Sequence, residues 1–317
     1  YLCIDKIYMT LQQLEYIIAV DHFRHFAKAA EKCHVTQPTL SMMVQKLEDE
    51  LGMKLFDRSK QPVVPTTEGE EVISRAKAIV LRSSALKEYV NELKGEIKGE
   101  LRLGIIPTLA PYLLPRFLKP FHEKYPLLKI SIKEMITNEI IEKLQSAELD
   151  VGLLATPVHE DGLEEHPLFY EEFYAYASLS EKLPKKKYLL PKEIHIDHLW
   201  LLEEGHCLRN QVFNLCELKK RENELLHYEA GSIETLINLV DQNHGITIIP
   251  QLAELNLKAS QRKNVREFAH PKPVREISAV VKESFPRKKM LEHLMEEIMH
   301  AVPKEMLNGK RKVVTAL

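Results

Sequence analysis

Two cysteines lie nine residues apart in this chain, in a setting that suits thiol chemistry. Cys207 follows His206 directly, Arg209 comes two positions later, and Cys216 is a second thiol within chain reach. The thiolate is the nucleophilic form of cysteine, and cationic neighbours or a helix N-terminus lower its pKa. The pattern therefore indicates a reactive thiolate at Cys207, with Cys216 available as a partner.

The spacing of the two cysteines has a further consequence. If the segment is helical, nine residues span roughly 13 Å along the axis and put the thiols on opposite faces. A disulfide needs Cα atoms about 4.4–6.8 Å apart, so Cys207 and Cys216 could bond only after local unwinding. A bond of that kind would be a switch. The alternative, two buried structural cysteines, stays open on spacing alone.

The composition indicates two or three globular domains. The chain has 317 residues, 44% of them hydrophobic and 28% charged, with four cysteines. It contains no run of 18 apolar residues, and its N-terminus lacks a secretory signal pattern, so we expect no membrane span. Four cysteines do not make a secreted disulfide framework, so we expect the reducing cytoplasm, where a disulfide would be transient.

Other kinds of site have no support in the sequence. Cysteine and histidine show no zinc-type spacing, and we expect neither a metal nor a cofactor. A phosphate-binding glycine loop and a serine-nucleophile elbow are both missing from the sequence. The net charge is −2, and residues 1–95 hold 13 basic and 13 acidic residues, a balance of zero. Any DNA-binding interpretation must therefore rest on local pattern.

The N-terminal third has such a pattern. An alanine-rich helix at 26–33 is followed by Thr36, a good N-cap, and by Pro38 in the first turn of a helix that ends at Gly52. The segment 55–65 suggests a two-stranded wing. Polar side chains early in the second helix can reach bases or phosphates in a major groove. The candidates for DNA contact are Thr36, Gln37, Pro38, Thr39, Ser41, Gln45 and Arg58. A packing module with a solvated polar face fits the periodicity equally well.

A long helix is expected after the wing. Thr67 and Glu70 match a capping box, with threonine at the N-cap and glutamate three residues later. Apolar positions then repeat at steps of four and three, as in a coiled-coil seam. The seam residues are Val72, Ala76, Ile79, Ser83, Leu86, Val90 and Leu93. The seam predicts a dimer through this helix, and packing against its own domain is the alternative.

The remaining two thirds alternate between strands and helices. Strands are predicted at 101–106, 128–135 and 151–154, separated by helices at 107–125 and 139–147. This order indicates an open, largely parallel sheet. A second unit spans about 173–268, with a helix at 232–242 and a strand at 246–250. The chain is then expected to return to the first unit through a strand at 277–281 and a helix at 288–301. Two α/β lobes joined by crossing strands would form a cleft suited to a small ligand.

Both parts of the chain resemble the LysR-type transcription regulators. Segments 26–30, 35–41 and 47–58 are similar to the winged helix-turn-helix of that family. Segments 104–108, 149–152 and 245–250 are similar to signatures of its periplasmic-binding-protein-like effector domain. The resemblance implies an all-α winged helix-turn-helix at 9–66, a linker and dimerisation helix at 67–95, and a two-lobed α/β redox-sensing regulatory domain at 99–305. Lobe I would comprise 99–170 and 272–305, and lobe II 171–271.

Within that family, segment 205–209 and Cys216 resemble the OxyR subfamily of peroxide sensors, and segment 232–236 adds to the similarity. The resemblance implies that Cys207 is the peroxidatic cysteine, oxidised to a sulfenic acid, and that Cys216 is the resolving thiol. It assigns Thr108, Thr137, His206, Arg209 and Arg275 to the peroxide pocket, with Asn210 and His227 as further candidates. The subfamily usually has aspartate at position 210. An amide cannot relay a proton, so we expect peroxide sensing to survive at a lower rate.

The resemblance also implies a function and a set of partners. We expect a cytoplasmic activator of antioxidant genes and not an enzyme. Its partners would be double-stranded operator DNA, hydrogen peroxide as the signal, RNA polymerase, and thiol reductants such as glutaredoxin or thioredoxin. Homodimers would assemble into a homotetramer.

Three alternatives remain at this stage. The first is a LysR-type regulator that binds an organic effector in its cleft, which peroxide-insensitive DNA binding and a metabolite-induced melting shift would favour. The second is a thiol peroxidase, which rapid multiple turnover with a thiol reductant would favour. The third is a DNA-bending protein, for which an effector-sized cleft domain would have no purpose.

Overall fold

The computed structural model describes residues 9–93, 97–181, 188–194, 196–216 and 229–307. The chain divides into two compact units, Tyr1–Lys94 and Gly95–Leu317. The α-helices are α1 Leu11–Phe23, α2 Phe26–Lys32, α3 Gln37–Leu51, α4 Thr67–Leu93, α5 Ala110–Lys124, α6 Thr137–Gln145, α7 Cys207–Leu215, α8 Ile233–Gln242, α9 Gln251–Leu255 and α10 Lys288–His300. The strands are β1 Phe56–Asp57, β2 Val64–Pro65, β3 Gly99–Ile105, β4 Leu128–Glu134, β5 Val151–Thr156, β6 Leu163–Ala177, β7 Tyr188–Leu189, β8 Leu201–Leu202, β9 Glu229–Ala230, β10 Ile246–Pro250, β11 Val265–Phe268 and β12 Val274–Lys282.

The first unit is a winged helix-turn-helix, as the sequence predicts. The Thr36 hydroxyl caps α3 by accepting a hydrogen bond from the Thr39 N–H, and the helix ends at Gly52, whose φ of 69° is in the left-handed region. Glycine adopts that conformation at little steric cost. The apolar face of α3 packs into one core with α1, α2 and the start of α4. Strands β1 and β2 pair antiparallel and form the wing.

The cap of α4 differs from the expectation. Thr66, not Thr67, accepts a hydrogen bond from the Gly69 N–H at 2.9 Å, while Thr67 is already the first helical residue. The reason is that the Thr66 hydroxyl also donates to the Lys54 carbonyl, which fixes it at the end of the wing. The wing therefore determines where the helix begins.

The expected seam of α4 divides into two parts. Val72 and Ala76 pack in the core of the first unit. Ile79, Leu86 and Val90 are 43%, 65% and 42% exposed, and the Leu93 side chain lies outside the described part of the chain. Packing within the domain therefore accounts for the first two turns, and the exposed apolar positions beyond them are available to a partner. The dimer stays a prediction.

The second unit is a two-lobed α/β domain built on one mixed sheet. Strands β4, β3 and β5 are parallel neighbours, and β12 joins β5 antiparallel. The long strand β6 pairs with β12 along residues 163–172 and then with β10 and β11 along 173–177. Strand β6 carries the chain into the second lobe and β12 brings it back. The expectation of a largely parallel sheet is therefore right for its first three strands and for the pair β7 and β11. The crossing strands β6 and β12 pair antiparallel, because strands that leave and return must run in opposite directions.

Candidate functional site

The side chains of the expected peroxide pocket come from four separate elements. Thr108 lies in the turn after β3, and Thr137 is the first residue of α6, after β4. Cys207 is the first residue of α7, and Arg275 lies on β12. Parallel strands end at one edge of the sheet, and that edge is where α/β proteins bind ligands. The sheet therefore supplies the two threonines, while α7 supplies the thiol.

The two cysteines lie at opposite ends of a regular helix. Cys207 opens α7, and Cys216 is its C-cap residue, with its N–H donating to the Val212 carbonyl. Both thiols are free. Nine residues of helix separate the two Cα atoms by roughly 13 Å, which is well beyond disulfide reach. Gly205, with a φ of 98°, makes the turn before the helix, and a Cβ there would lie 3.1 Å from Ile136 Cδ1.

The Cys207 thiol is buried, and its pKa follows from that. Burial raises the pKa of Cys207, because the thiolate is charged and has little water around it. The Arg275 guanidinium opposes this effect, as do the nearby Thr137 hydroxyl and the N–H groups of Cys207 and Leu208 at the helix start. The sequence-based expectation of a lowered pKa is wrong for this state, because burial outweighs the cation and the helix N-terminus together.

Arg275 is held by a dense set of contacts. Its Nε donates to Glu171 Oε2 at 2.8 Å, and its Nη2 lies 2.7 Å from the same oxygen. Its Nη1 donates to Thr108 Oγ1 at 3.0 Å, and its Nη2 also donates to the Thr108 carbonyl at 3.2 Å. Both Arg275 and Glu171 are completely buried. Thr108 is thus brought to Arg275 as a hydrogen-bond acceptor.

The other expected pocket residues differ in their placement. His206 is buried, its Nδ1 has no hydrogen-bond partner among the described residues, and its Nε2 lies 3.5 Å from Glu203 Oε1. The Arg209 guanidinium donates to the Leu202 carbonyl at 2.6 Å and lies over the Phe213 ring, so the cation acting on the thiol is Arg275.

Asn210 and His227 were the two further candidates for the pocket. Asn210 is exposed on α7. His227 lies outside the described residues.

Cys216 is embedded in the apolar core. Its exposed fraction is 5%, and it clusters with the hydrophobic residues of the second unit. Burial raises the pKa of Cys216 to about 12. The resting thiol is therefore neutral and cannot attack a partner until it leaves the core.

Glu171 and Tyr112 belong to the site, and the sequence analysis missed both. Burial raises the pKa of Tyr112, and the carboxylates of Glu234 and Glu171 raise it further, while Arg275 opposes them. Glu171 had a usable signal. Along β6, Phe169, Glu171 and Phe173 alternate onto one buried face, and a charged residue in such a position needs a partner.

A second candidate site is the surface of α3. The structure places Thr36, Gln37, Pro38 and Thr39 as an exposed group at the start of the helix, with Ser41 and Gln45 half-buried. Gln45 donates to Asp49 Oδ1 at 2.6 Å.

Arg58 has protein partners in this structure. Its Nη1 donates to Ser41 Oγ at 3.1 Å, and its Nη2 lies 3.3 Å from the buried carboxylate of Glu48. Glu48 also accepts hydrogen bonds from the N–H groups of Leu55 and Phe56. Arg58 and Glu48 therefore fasten the wing to α3, a role that the expected phosphate contact did not include.

Met42 is the residue of α3 that sequence reasoning passed over. It is 63% exposed, on the ridge opposite the buried face of Leu40, Val44 and Leu47. Apolar side chains on a recognition helix can contact the thymine methyl group in the major groove. The position therefore offers an exposed apolar side chain beside the polar candidates of this surface.

Neither metal nor membrane features appear in the described part of the chain. Among the described residues, no cluster of three or more His, Cys, Asp or Glu side chains could hold a metal ion. No helix of the same residues combines the length and the hydropathy needed to cross a bilayer.

Comparison with known proteins matches both units to domains of one family. Residues 11–70 match the bacterial regulatory helix-turn-helix protein of the lysR family, and residues 94–303 match the LysR substrate binding domain. The hydrogen peroxide-inducible genes activator of Haemophilus influenzae is 34% identical over 305 residues, covering 95% of this chain and 99% of that protein. The DNA-binding transcriptional dual regulator OxyR of Escherichia coli is 33% identical over 290 residues, covering 92% and 95%.

Solved structures are similar to this chain over most of its length. A full-length OxyR variant from Pseudomonas aeruginosa matches with a TM-score of 0.75 at 33% identity, covering 92% of this chain and 98% of that one. A hydrogen-peroxide-bound OxyR mutant from Corynebacterium glutamicum matches with a TM-score of 0.61 at 29% identity, covering 93% and 94%. Both similarities extend across the two units of the chain.

Proposed function

Because the chain belongs to the LysR family of bacterial transcription regulators, we infer that it is a DNA-binding transcription activator that senses hydrogen peroxide. The switch is a reversible disulfide between Cys207 and Cys216. The observation that carries this proposal is the position of Cys207, which opens α7 where Arg275 and Thr137 both act on its thiol, while the second thiol closes the same helix. The protein is a regulator and not an enzyme.

The chemistry takes two steps. The Cys207 thiolate attacks one oxygen of hydrogen peroxide, an S–O bond forms, the O–O bond breaks, and the departing hydroxide takes up the thiol proton as water. Cys216 then attacks the sulfenic sulfur, an S–S bond forms, and a second water leaves. The two thiols supply the two electrons that reduce one peroxide. An external dithiol reductant, such as glutaredoxin or thioredoxin, returns those electrons and resets the switch.

Each pocket residue has a role in the first step. Arg275 and the amide N–H groups at the start of α7 stabilise the thiolate and then the leaving hydroxide. The hydroxyls of Thr108 and Thr137 orient the peroxide oxygens. His206 offers a buried imidazole beside the thiol as a further hydrogen-bonding group. Arg209 acts on the fold of the segment through the Leu202 carbonyl.

The second step requires a conformational change in α7. The bond forms only when α7 unwinds and Cys216 leaves the core, so the covalent bond favours a different packing of residues 207–216. Neighbouring surfaces of the regulatory domain (residues 99–305) change with it. We propose that this alters how the domains of an oligomer pack, and hence how paired DNA-binding domains (9–66) lie on the operator.

The assembly and remaining partners follow from the same proposal. Exposed apolar residues of the linker helix (67–95) form the dimer interface, and two dimers make a tetramer on an extended operator. Two recognition helices related by a two-fold axis suit half-sites spaced by a helical turn. The regulator contacts RNA polymerase, and acting on chromosomal DNA places it in the cytoplasm.

The test is intact mass after alkylation of free thiols, with and without a short pulse of low hydrogen peroxide. We expect the loss of two alkylatable thiols, mapped to a Cys207–Cys216 bridge and absent in Cys207→Ser. Cys33→Ser is the matched control, because that thiol lies in the DNA-binding unit, and it should behave as the native protein does. Unchanged thiols under the pulse would refute the sensor and favour an organic effector.

A further inference from the structure

Glu171 and Arg275 form an ion pair that lies entirely inside the protein. The two residues face each other across the antiparallel strands β6 and β12. Neither side chain has any exposed surface, and both Nε and Nη2 of the guanidinium lie within 2.8 Å of one carboxylate oxygen. Removing a charge from such a pair leaves the other one buried without compensation. The position of each charge therefore depends on the other.

The second oxygen of Glu171 fixes the carboxylate itself. Glu171 Oε1 accepts a hydrogen bond from the Leu252 N–H at 3.0 Å, in the first turn of α9. Arg275 meanwhile donates to Thr108, which follows β3. The pair thus links α9, both crossing strands and the turn that carries one pocket hydroxyl. Rotation of the Arg275 guanidinium toward the thiol would break hydrogen bonds at both ends.

The charges around the thiol come from several elements. On β12 and β6 they are Arg275 and Glu171. Tyr112 on α5 and Glu234 on α8 lie near that pair, since Glu171, Arg275 and Glu234 all act on the Tyr112 hydroxyl. The N-cap residue His206 and its neighbour Glu203 lie before α7. Arg275 is the positive charge that acts on the Cys207 sulfur, and Glu171 is its fully buried partner.

We propose that Glu171 is a positioning residue that limits the positive charge available to Cys207 and so sets the peroxide concentration at which the sensor responds. It acts through Arg275, holding the guanidinium on Thr108 and offsetting its charge. This inference rests on the proposed peroxide function. The chemical step is the one given above, and Glu171 changes only the fraction of Cys207 present as the attacking thiolate.

The test is Glu171→Gln, which keeps the shape of the side chain and removes its charge. The buried Arg275 charge then loses its carboxylate partner and acts on Cys207 without that offset. We expect the pH midpoint of iodoacetamide alkylation at Cys207, followed by peptide mass spectrometry, to fall by about one unit. The second-order rate with hydrogen peroxide at neutral pH should rise by up to about tenfold. The matched control is Glu172→Gln, the next residue of β6, whose carboxylate binds Lys272 and Tyr174. Neither quantity should move in it.

Two further variants keep the test decisive. In the Arg275→Gln background, adding Glu171→Gln should leave the alkylation midpoint where Arg275→Gln alone puts it. If the single Gln variant does not fold, Glu171→Asp retains the charge on a shorter stem and should lower the midpoint by a smaller amount. An unmoved midpoint in the folded single variant, or a shift that persists without Arg275, would overturn the inference. Alkylation needs no peroxide, so it tests the effect of Glu171 on the Cys207 thiol separately from the proposed peroxide function. A native protein whose thiols ignore peroxide would refute that function, whatever the alkylation midpoints show.

Discussion

The stability of α7 should control how fast the sensor forms its disulfide. Cys207 and Cys216 are separated by roughly 13 Å of helix, whereas a disulfide allows about 4.4–6.8 Å between Cα atoms. Some of the helix must therefore unwind before the bond can form. Asn214 is suited to test this, because it is exposed on α7 and lies two helical turns beyond Cys207. Substituting it changes the helix and leaves the peroxide chemistry alone.

The comparison is between Asn214→Ala and Asn214→Gly. Both remove the same side-chain contacts, and they differ by about 1 kcal/mol in helix stability. If position 214 is unwound in the transition state, the glycine variant should form the disulfide about fivefold faster than the alanine variant. At equilibrium the alanine variant, whose reduced form is more stable, should have a reduction potential about 20 mV less negative.

Quenched-flow mixing with peroxide gives both steps in one experiment. Sulfenic acid trapped with dimedone reports the first step and should be the same in the two variants. Alkylation and mass spectrometry report the disulfide and should separate them. Equal rates of disulfide formation in the alanine and glycine variants would refute the reasoning, because the helix would then not be unwound on the way to the bond.

Three further predictions concern other parts of the molecule. Because burial raises the pKa of Cys216 to about 12, its thiol is neutral in the native state at pH values where the unfolded chain ionises. This contribution to the free energy of unfolding is complete below about pH 8.5 and is lost as pH rises towards 12. Between pH 7 and pH 10, urea unfolding should show that the native protein loses about 2 kcal/mol more of its free energy of unfolding than Cys216→Ala does. Leu86→Arg should weaken the dimer at least about a hundredfold in sedimentation equilibrium, because each of two copies loses about 1.5 kcal/mol or more of apolar burial. An unchanged dimer dissociation constant would exclude the exposed face of α4 as the interface. The Met42 prediction uses a DNA site selected from a random library and made in two versions, with thymine or with uracil, which lacks the methyl group. The native protein should bind the thymine version about fourfold more tightly, the value of one buried methyl group, and Met42→Ala should bind both versions equally well.

Local sequence was sufficient for the DNA-binding unit. Thr36 and Gly52 set the ends of α3 through hydrogen bonds and a backbone conformation that involve only a few neighbouring residues. The same reasoning misplaced the α4 cap by one residue, because the Lys54 carbonyl that engages Thr66 is twelve positions away in the chain. The coiled-coil seam likewise could not show that Val72 and Ala76 pack on their own domain.

The sequence likewise predicted only part of the candidate site. The types and spacing of Cys207 and Cys216 were readable in the chain, whereas Thr108 and Thr137 were assigned to the pocket only through the family resemblance. The resemblance placed both Arg209 and Arg275 in the pocket, but the sequence did not show which cation acts on the thiol. Arg209 is two residues from Cys207 but donates to Leu202, while Arg275 is the group that lowers the thiol pKa.

By itself the sequence determined the winged helix-turn-helix, the alternation of strands and helices, and two thiols spaced so that a helix would keep them apart. All three depend on periodicity, caps and spacing, which act over a few residues. The tertiary structure alone decided that the pKa of Cys207 is raised, and that Arg275 is paired with Glu171, 104 residues away in the chain. The physical reason is that burial and charge pairing arise from contacts between distant segments, which exist only once the lobes have folded.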